Sequence, residues 1–287
     1  MIRLRVKFAV IIALAAILAA GFLYWQVRHG RVDKSAELKR AIAPVRSKLD
    51  LTDDRLVKKA AAKKVYKRPR VAIVVDDFGN SKNNLDLLFS IKQPVTLSIL
   101  PEQRYTREVA DLARARGFEV ILHLPLEPRR DDVSQEANTI KAGMSEKEIL
   151  LRLKKEIELV PGIDGVSNHM GSKATANTMV MTTIIRHLKS RGLYYFDSLT
   201  SSRSVCLDVA KSLGVRCAKR DIFLDNSNNT AAIEKQLADL KVMAFMRGQA
   251  IAICHDRKNT IVVLAKELPE MASEGIEFVR LSELVKQ

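Results

Sequence analysis

Val71-Ala72-Ile73-Val74-Val75-Asp76-Asp77-Phe78-Gly79-Asn80 is the stretch on which the fold turns. Its five apolar, mostly β-branched residues give a strand buried on both faces. Asp76 and Asp77 follow directly, Gly79-Asn80 turn the chain, and Ser81 is placed to cap a helix. A strand of this kind delivers two carboxylates to the rim of a sheet or barrel. Neighbouring carboxylates repel, so they need a cation or a shared proton to sit there cheaply. One carboxylate on a divalent metal with the other free as a base is the functional reading. A helix-capping Asp beside a solvated one is the structural alternative, and these ten residues do not choose between the two.

Outward from this strand, apolar runs and amphipathic segments alternate. The pattern predicts helices over 83–91, 105–116, 146–159, 178–190, 205–213 and 231–247, and one from after Cys254 to Leu268. Ser145 and Glu148 form a capping box at the start of the third. Strands are expected at 95–100, 118–122, 193–196, 250–254 and 278–279, with another ending at Gly165-Val166-Ser167 and strand material near Val215 and Ile222-Phe223-Leu224. Alternation implies parallel strands joined by crossover helices. Seven or eight such units within residues 70–287 suit a (β/α) barrel better than an open sheet, with its site at the carboxyl ends of the strands. Residues 127–143 make a polar connection too long to be a mere link, of the kind that covers a site.

The 287 residues carry a net charge of +15. That excess is confined to one end. Residues 1–69 hold 17 Lys/Arg against 5 Asp/Glu, and residues 70–287 hold 31 against 28. A basic nucleic-acid face on the body is therefore not expected. Arg3, Arg5 and Lys7 precede the uncharged run 8–25, whose 18 residues just span a bilayer as a helix. Phe22, Tyr24 and Trp25 suit an interface belt. Residues 1–28 are read as an uncleaved inner-membrane anchor, the alternative being a signal peptide, and either places the body outside the cytoplasm. Residues 29–69 form a basic linker, a plain spacer or a segment that lies on anionic lipid or wall polymer. Cys206, Cys217 and Cys254 give no paired spacing, which argues against a zinc ribbon or a thiol-redox site.

The expected strand ends carry the chemistry: Asp76-Asp77, His123, Asn168-His169, Asp197 and His255-Asp256. Three of the five histidines stand there, while His29 lies in the linker and His187 on a helix beside Arg186. Two neutral imidazoles and one carboxylate leave open positions on a divalent metal, which lowers the pKa of bound water towards 7 and polarises a carbonyl. A free carboxylate can take the water's proton, and a further His can protonate the leaving group. This set fits amide or ester hydrolysis without a covalent intermediate.

Val75-Asp76-Asp77-Phe78-Gly79, His123-Leu124-Pro125-Leu126-Glu127-Pro128, Asn168-His169-Met170-Gly171-Ser172, Phe196-Asp197-Ser198-Leu199-Thr200 and Arg220-Asp221-Ile222-Phe223-Leu224-Asp225-Asn226 occur in that order. Over 70–287 the chain thereby resembles the divergent polysaccharide deacetylase family. The resemblance implies a distorted barrel related to metal-dependent enzymes that remove acetyl groups from N-acetylated sugars, with bacterial members facing the periplasm. It implies Asp77 as the metal-binding Asp, Asp76 as general base, His123 and His169 as completing the metal site, and His255 as the acid. The implied cofactor is a divalent metal, Zn2+ first, and the implied partner a polysaccharide or peptidoglycan-type glycan.

Around these, Arg220, Asp221 and Asp225 either brace the strand end as a buried Arg–Asp pair or touch substrate and orient the acid. Asp197 is read as a partner behind a ligand histidine, with a fourth ligand or a helix cap as alternatives. Asn168 and Ser172 arrange the loop around His169. Glu127 lines the pocket mouth or belongs to a rigid proline turn. The Arg/Pro-Tyr motif of ordinary deacetylases is not evident, and Asp256 follows His255. Those departures support an alternative function, a sugar-binding envelope protein that kept the barrel and lost catalysis.

Overall fold

The apolar run at 71–75 is a strand flanked by partners on both sides. In the computed structural model, which describes residues 68–129 and 135–286, it belongs to β1 (Arg70–Phe78). The chain continues through α1 (Leu85–Ser90), β2 (Thr96–Ile99), α2 (Thr106–Ala115), β3 (Glu119–Leu126), α3 (Glu146–Leu159), β4 (Gly165–Met170) and α4 (Thr178–Ser190). There follow β5 (Tyr194–Asp197), α5 (Cys206–Leu213), β6 (Cys217–Lys219), β7 (Ile222–Phe223), α6 (Thr230–Arg247), β8 (Gln249–His255), α7 (Lys258–Ser273) and β9 (Glu277–Phe278). The candidate span at 8–25 and the linker up to residue 67 lie outside the described residues. Among the described residues no helix is long and apolar enough to cross a membrane.

All strand pairs are parallel, in the order β6-β5-β4-β3-β2-β1-β8-β7, with β9 beside the first residues of β1. The end strands β6 and β7 are consecutive in sequence yet do not pair. The sheet is thus a curled parallel half-barrel, and the expected alternation and curvature are present without closure.

Side chains alternate across the sheet with period two. Val71, Ile73 and Val75 of β1 pack outward under the helices, whereas Ala72 and Val74 face inward. The inner cluster takes Ile121 from β3, Tyr194 and Phe196 from β5, and Ile251 and Ile253 from β8. Its floor is the chain's carboxyl end, where Val279, Leu281, Leu284 and Val285 are buried against the strands. Buried Glu119 ties that floor in place, accepting from Thr96 Oγ1 at 2.6 Å, Tyr194 OH at 3.2 Å and Ser282 N at 3.1 Å.

Local signals hold where they were strong. Ser145 and Glu148 make the reciprocal capping box of α3, and Asn177 and Asn229 cap α4 and α6 through their side chains. Two strands run further than expected. β3 continues through Pro125 to Leu126, and β4 through Ser167-Asn168-His169 to Met170. Polar residues end the apolar pattern there, but the ladder between these strands goes on, with His123 opposite Ser167 and Pro125 opposite His169. Helix α7 also passes its Pro269 to reach Ser273, its last turns held by buried Leu268 and Met271.

Candidate metal centre

The strand parity that builds the inner core also builds the site. Continuing the inward positions upward gives Asp76 on β1, Ser98 on β2, His123 on β3, Ser167 and His169 on β4, and His255 on β8. Asp76 stands opposite His255 in the β1–β8 ladder. Strict alternation would turn Asp77 outward. Instead the register of β1 slips between Val75 and Phe78, and Asp77 takes a left-handed φ of 68°. Such a bulge re-aims a side chain, so both carboxylates reach the same cup. Gly79 completes the turn at φ 120°, where a Cβ would lie 3.0 Å from Leu100 O.

Asp77 Oδ1 lies 3.3 Å from His123 Nε2 and 3.1 Å from His169 Nδ1. The three ligand atoms lie within 4.8 Å of one another. Asp77 Oδ1 is buried and yet makes no well-formed hydrogen bond to either ring. Three donors that approach one another without bonding in line share a point between them, and one carboxylate with two imidazoles is a fitting set for a divalent transition metal. Burial works to raise the Asp77 pKa, but His123 and His169 outweigh it and hold the carboxyl well below its usual range. Asp77 therefore stays ionised, as a ligand must.

Asp76 is 1% exposed, and its Oδ1 lacks a hydrogen-bond partner, 3.5 Å from His123 Nδ1. Burial, helped by the charge on Asp77, pushes its pKa up against the pull of His123 and His255. Across the cup, His255 Nε2 faces Asp77 Oδ2 at 3.9 Å. Its Nδ1 lies 2.9 Å from Asp225 Oδ1, and Asp225 Oδ2 accepts from the His255 backbone N–H and from Thr260 Oγ1. Burial works to lower the His255 pKa, yet Asp225 and the two site carboxylates raise it above the ordinary value. Asp225 is therefore an orienting partner of His255. A hollow of about 480 Å³ opens onto Asp76, His123, His169 and His255 and is rimmed by Met170, Leu199, Arg220 and Phe223. Met170 and Leu199 hold φ of 53° and 51°, the left-handed strain that tends to gather at functional sites.

Other expectations are redirected. Asp197 falls on the outward parity of β5, so it neither ligates nor backs a ligand histidine. It accepts from Leu199 N at 2.8 Å and Ser204 Oγ at 2.6 Å and so fixes the loop after β5. Glu127 does not line the hollow. It joins the long connection to the segment after β4 by accepting from Ala142 N and Lys173 Nζ. Arg220 and Asp221 are not a pair. Arg220 rims the hollow, donating to the carbonyls of Ser198 and Leu199 with its guanidinium 5.2 Å from the Phe223 ring. Asp221 sits away from the hollow, accepting from Ile251 N and Arg247. Asn168 arranges the neighbouring loop by accepting from Ser198 N and donating to Met170 O, and Ser172 accepts from Arg129 N. Asp256, beside the acid candidate, accepts from the Asn84 amide. Sequence reasoning missed Glu136, whose Oε1 lies 3.2 Å from His169 Nε2.

A family model described as divergent polysaccharide deacetylase matches residues 73–285. The chain belongs to that family. Over 218 residues the chain is 33% identical to the uncharacterized protein YibQ of Escherichia coli, covering 76% of this chain and 68% of the relative. A crystal structure of an uncharacterized protein from Agrobacterium tumefaciens C58 superposes with a TM-score of 0.72 at 28% identity, covering 76% of this chain and 90% of that one. The catalytic domain of a peptidoglycan N-acetylglucosamine deacetylase from Eubacterium rectale shares the fold with a TM-score of 0.52 at 15% identity, covering 75% and 89%.

Proposed function

We propose that this divergent polysaccharide deacetylase is a metal-dependent hydrolase that removes N-acetyl groups from a cell-envelope glycan, anchored at or exported across the inner membrane by residues 1–28. The observation that carries the reading is the convergence of Asp77 Oδ1, His123 Nε2 and His169 Nδ1, with buried Asp76 and Asp225-held His255 on either side. Asp77, His123 and His169 would hold the metal. A Zn2+ there would supply a Lewis acid and an acidified water. Asp76, its basicity raised by burial, accepts a proton as general base. His255, held by Asp225 and with its pKa raised by the surrounding carboxylates against the effect of burial, returns a proton to the departing amine. Arg220, Met170, Leu199 and Phe223 frame the sugar. The glycan class is supported by the family and by the fold shared with the peptidoglycan N-acetylglucosamine deacetylase of Eubacterium rectale. The near balance of charge over 70–287 supports a neutral ligand over nucleic acid.

The test is elemental analysis of the purified chain together with acetate release from chitooligosaccharides and peptidoglycan fragments. Stoichiometric zinc and turnover, both lost in Asp77→Ala, are expected. A metal-free wild type with no acetate release, yet with glycan bound equally by wild type and Asp76→Asn, would replace this reading with the sugar-binding one.

A further inference from the structure

The two candidate ligand histidines are turned opposite ways, and each has its outer nitrogen occupied. His123 offers Nε2 to Asp77, and its Nδ1 lies 2.8 Å from Ser167 Oγ, which in turn is 2.8 Å from Ser98 Oγ. His169 offers Nδ1 to Asp77, and its Nε2 faces Glu136 Oε1. Ser98, Ser167 and both histidines come from strands. Glu136 comes from the connection between β3 and α3, whose length the alternation of strands and helices does not explain.

That part of the connection is pinned in place. Ile140 N donates to Pro125 O at 2.9 Å, and Thr139 N donates to Glu136 O at 3.0 Å. Arg152 of α3 donates to the carbonyls of Ala137 and Thr139, and the buried Asn138 amide donates to Glu156. The bland account of the Glu136–His169 contact is an exposed ion pair of little consequence. Geometry weighs against it, because the His169 side chain is 15% exposed and its other nitrogen is committed to Asp77. A carboxylate on the outer N–H of a metal-bound imidazole fixes its tautomer and ring orientation.

We propose that Glu136 is a positioning residue that holds His169 Nδ1 toward the Asp77 carboxylate by accepting a hydrogen bond from Nε2–H. Through it the long connection becomes part of the metal centre. This rests on the metal-hydrolase reading above, and the experiment separates the two.

Zn2+ affinity of the full chain would be measured by competition with a chromophoric chelator, and ligand geometry by the visible absorption of the Co2+-loaded protein. Glu136→Ala should weaken Zn2+ about 10–100-fold and alter the Co2+ bands. Glu136→Gln, whose amide oxygen still accepts from Nε2–H, should restore most of the affinity and the wild-type bands. Arg129→Ala, on the same connection, should change neither. Glu136→Ala binding as tightly as wild type while Asp77→Ala fails to bind would overturn this proposal and leave the metal site standing. Glu136→Gln as weak as Glu136→Ala would also overturn it, since charge and not orientation would then be at work. A wild type that takes up no Zn2+ would overturn both readings together.

Discussion

Glu119 and Asp76 are both carboxylates on the inner face of the sheet, 2% and 1% exposed, and they stand at its opposite ends. At the lower end Glu119 receives two hydroxyls and a backbone N–H. At the upper end Asp76 Oδ1 and Asp77 Oδ1 receive nothing among the described residues. The functional group and the burial are the same, so what separates the two ends is the supply of protein partners. Leaving a buried acceptor unmet costs about 1–3 kcal/mol. At the upper end the partners within reach are the rings of His123 and His169, which is the arrangement the metal reading requires.

The sharpest way to break this comparison is to alter each end alone. Asp76→Asn should lower kcat about 10²–10⁴-fold on an acetylated oligosaccharide while leaving the urea unfolding midpoint unchanged or raised. An unchanged kcat would remove Asp76 from the chemistry. Glu119→Ala should do the reverse. It strands Thr96, Tyr194 and the turn at Ser282, and urea unfolding should show a loss of about 3 kcal/mol with kcat of the folded fraction intact.

Supplying the missing partner is the next test. Zn2+ at a hundredfold excess over its Kd should stabilise wild type by about 2.7 kcal/mol in thermal unfolding. Chelator should reverse the gain, and Asp77→Ala should not show it.

Glu156 sharpens the comparison as an intermediate case. It is buried on α3 with one oxygen held by Asn138 and the other unmet. Burial outweighs that hydrogen bond and pushes its pKa from the ordinary 4.5 to about 7. The folded state therefore holds a proton that the unfolded state has already released. Stability from this group is full below pH 4.5 and is lost as pH rises through about 7. Glu156→Gln should be more stable than wild type by on the order of 2 kcal/mol at pH 8 and equal to it near pH 4.5. Parallel pH profiles of the two proteins would show that the group titrates normally.

Where local chemistry decides the outcome, the sequence was readable. The β-branched run, the Ser145–Glu148 box and the histidines near strand ends all stand as read. Closure of the barrel was not readable, because whether β6 meets β7 depends on curvature summed over the whole sheet. The lengths of β3 and β4 were masked by Pro125 and by Ser167-Asn168-His169, which break an apolar pattern without breaking the ladder. Asp197 shows the value of parity. Its inner neighbours Tyr194 and Phe196 already imply that it faces the helices, so a strand register drawn before assigning roles would have placed it. Glu136 carried no such signal, since its connection has neither period nor motif.

The floor of the cup has a consequence for how the protein is made. The first described strand pairs with Gln249–His255 and with Glu277-Phe278, and the plug beneath it is built from Val279, Leu281, Leu284 and Val285. A nascent chain therefore carries β1 without its β8 and β9 partners until residues 249–278 have emerged. Contacts so distant in sequence are slow to form. The cup is therefore finished only once residues 249–285 are available, and removing 279–285 would leave the opening strand without the base on which it rests.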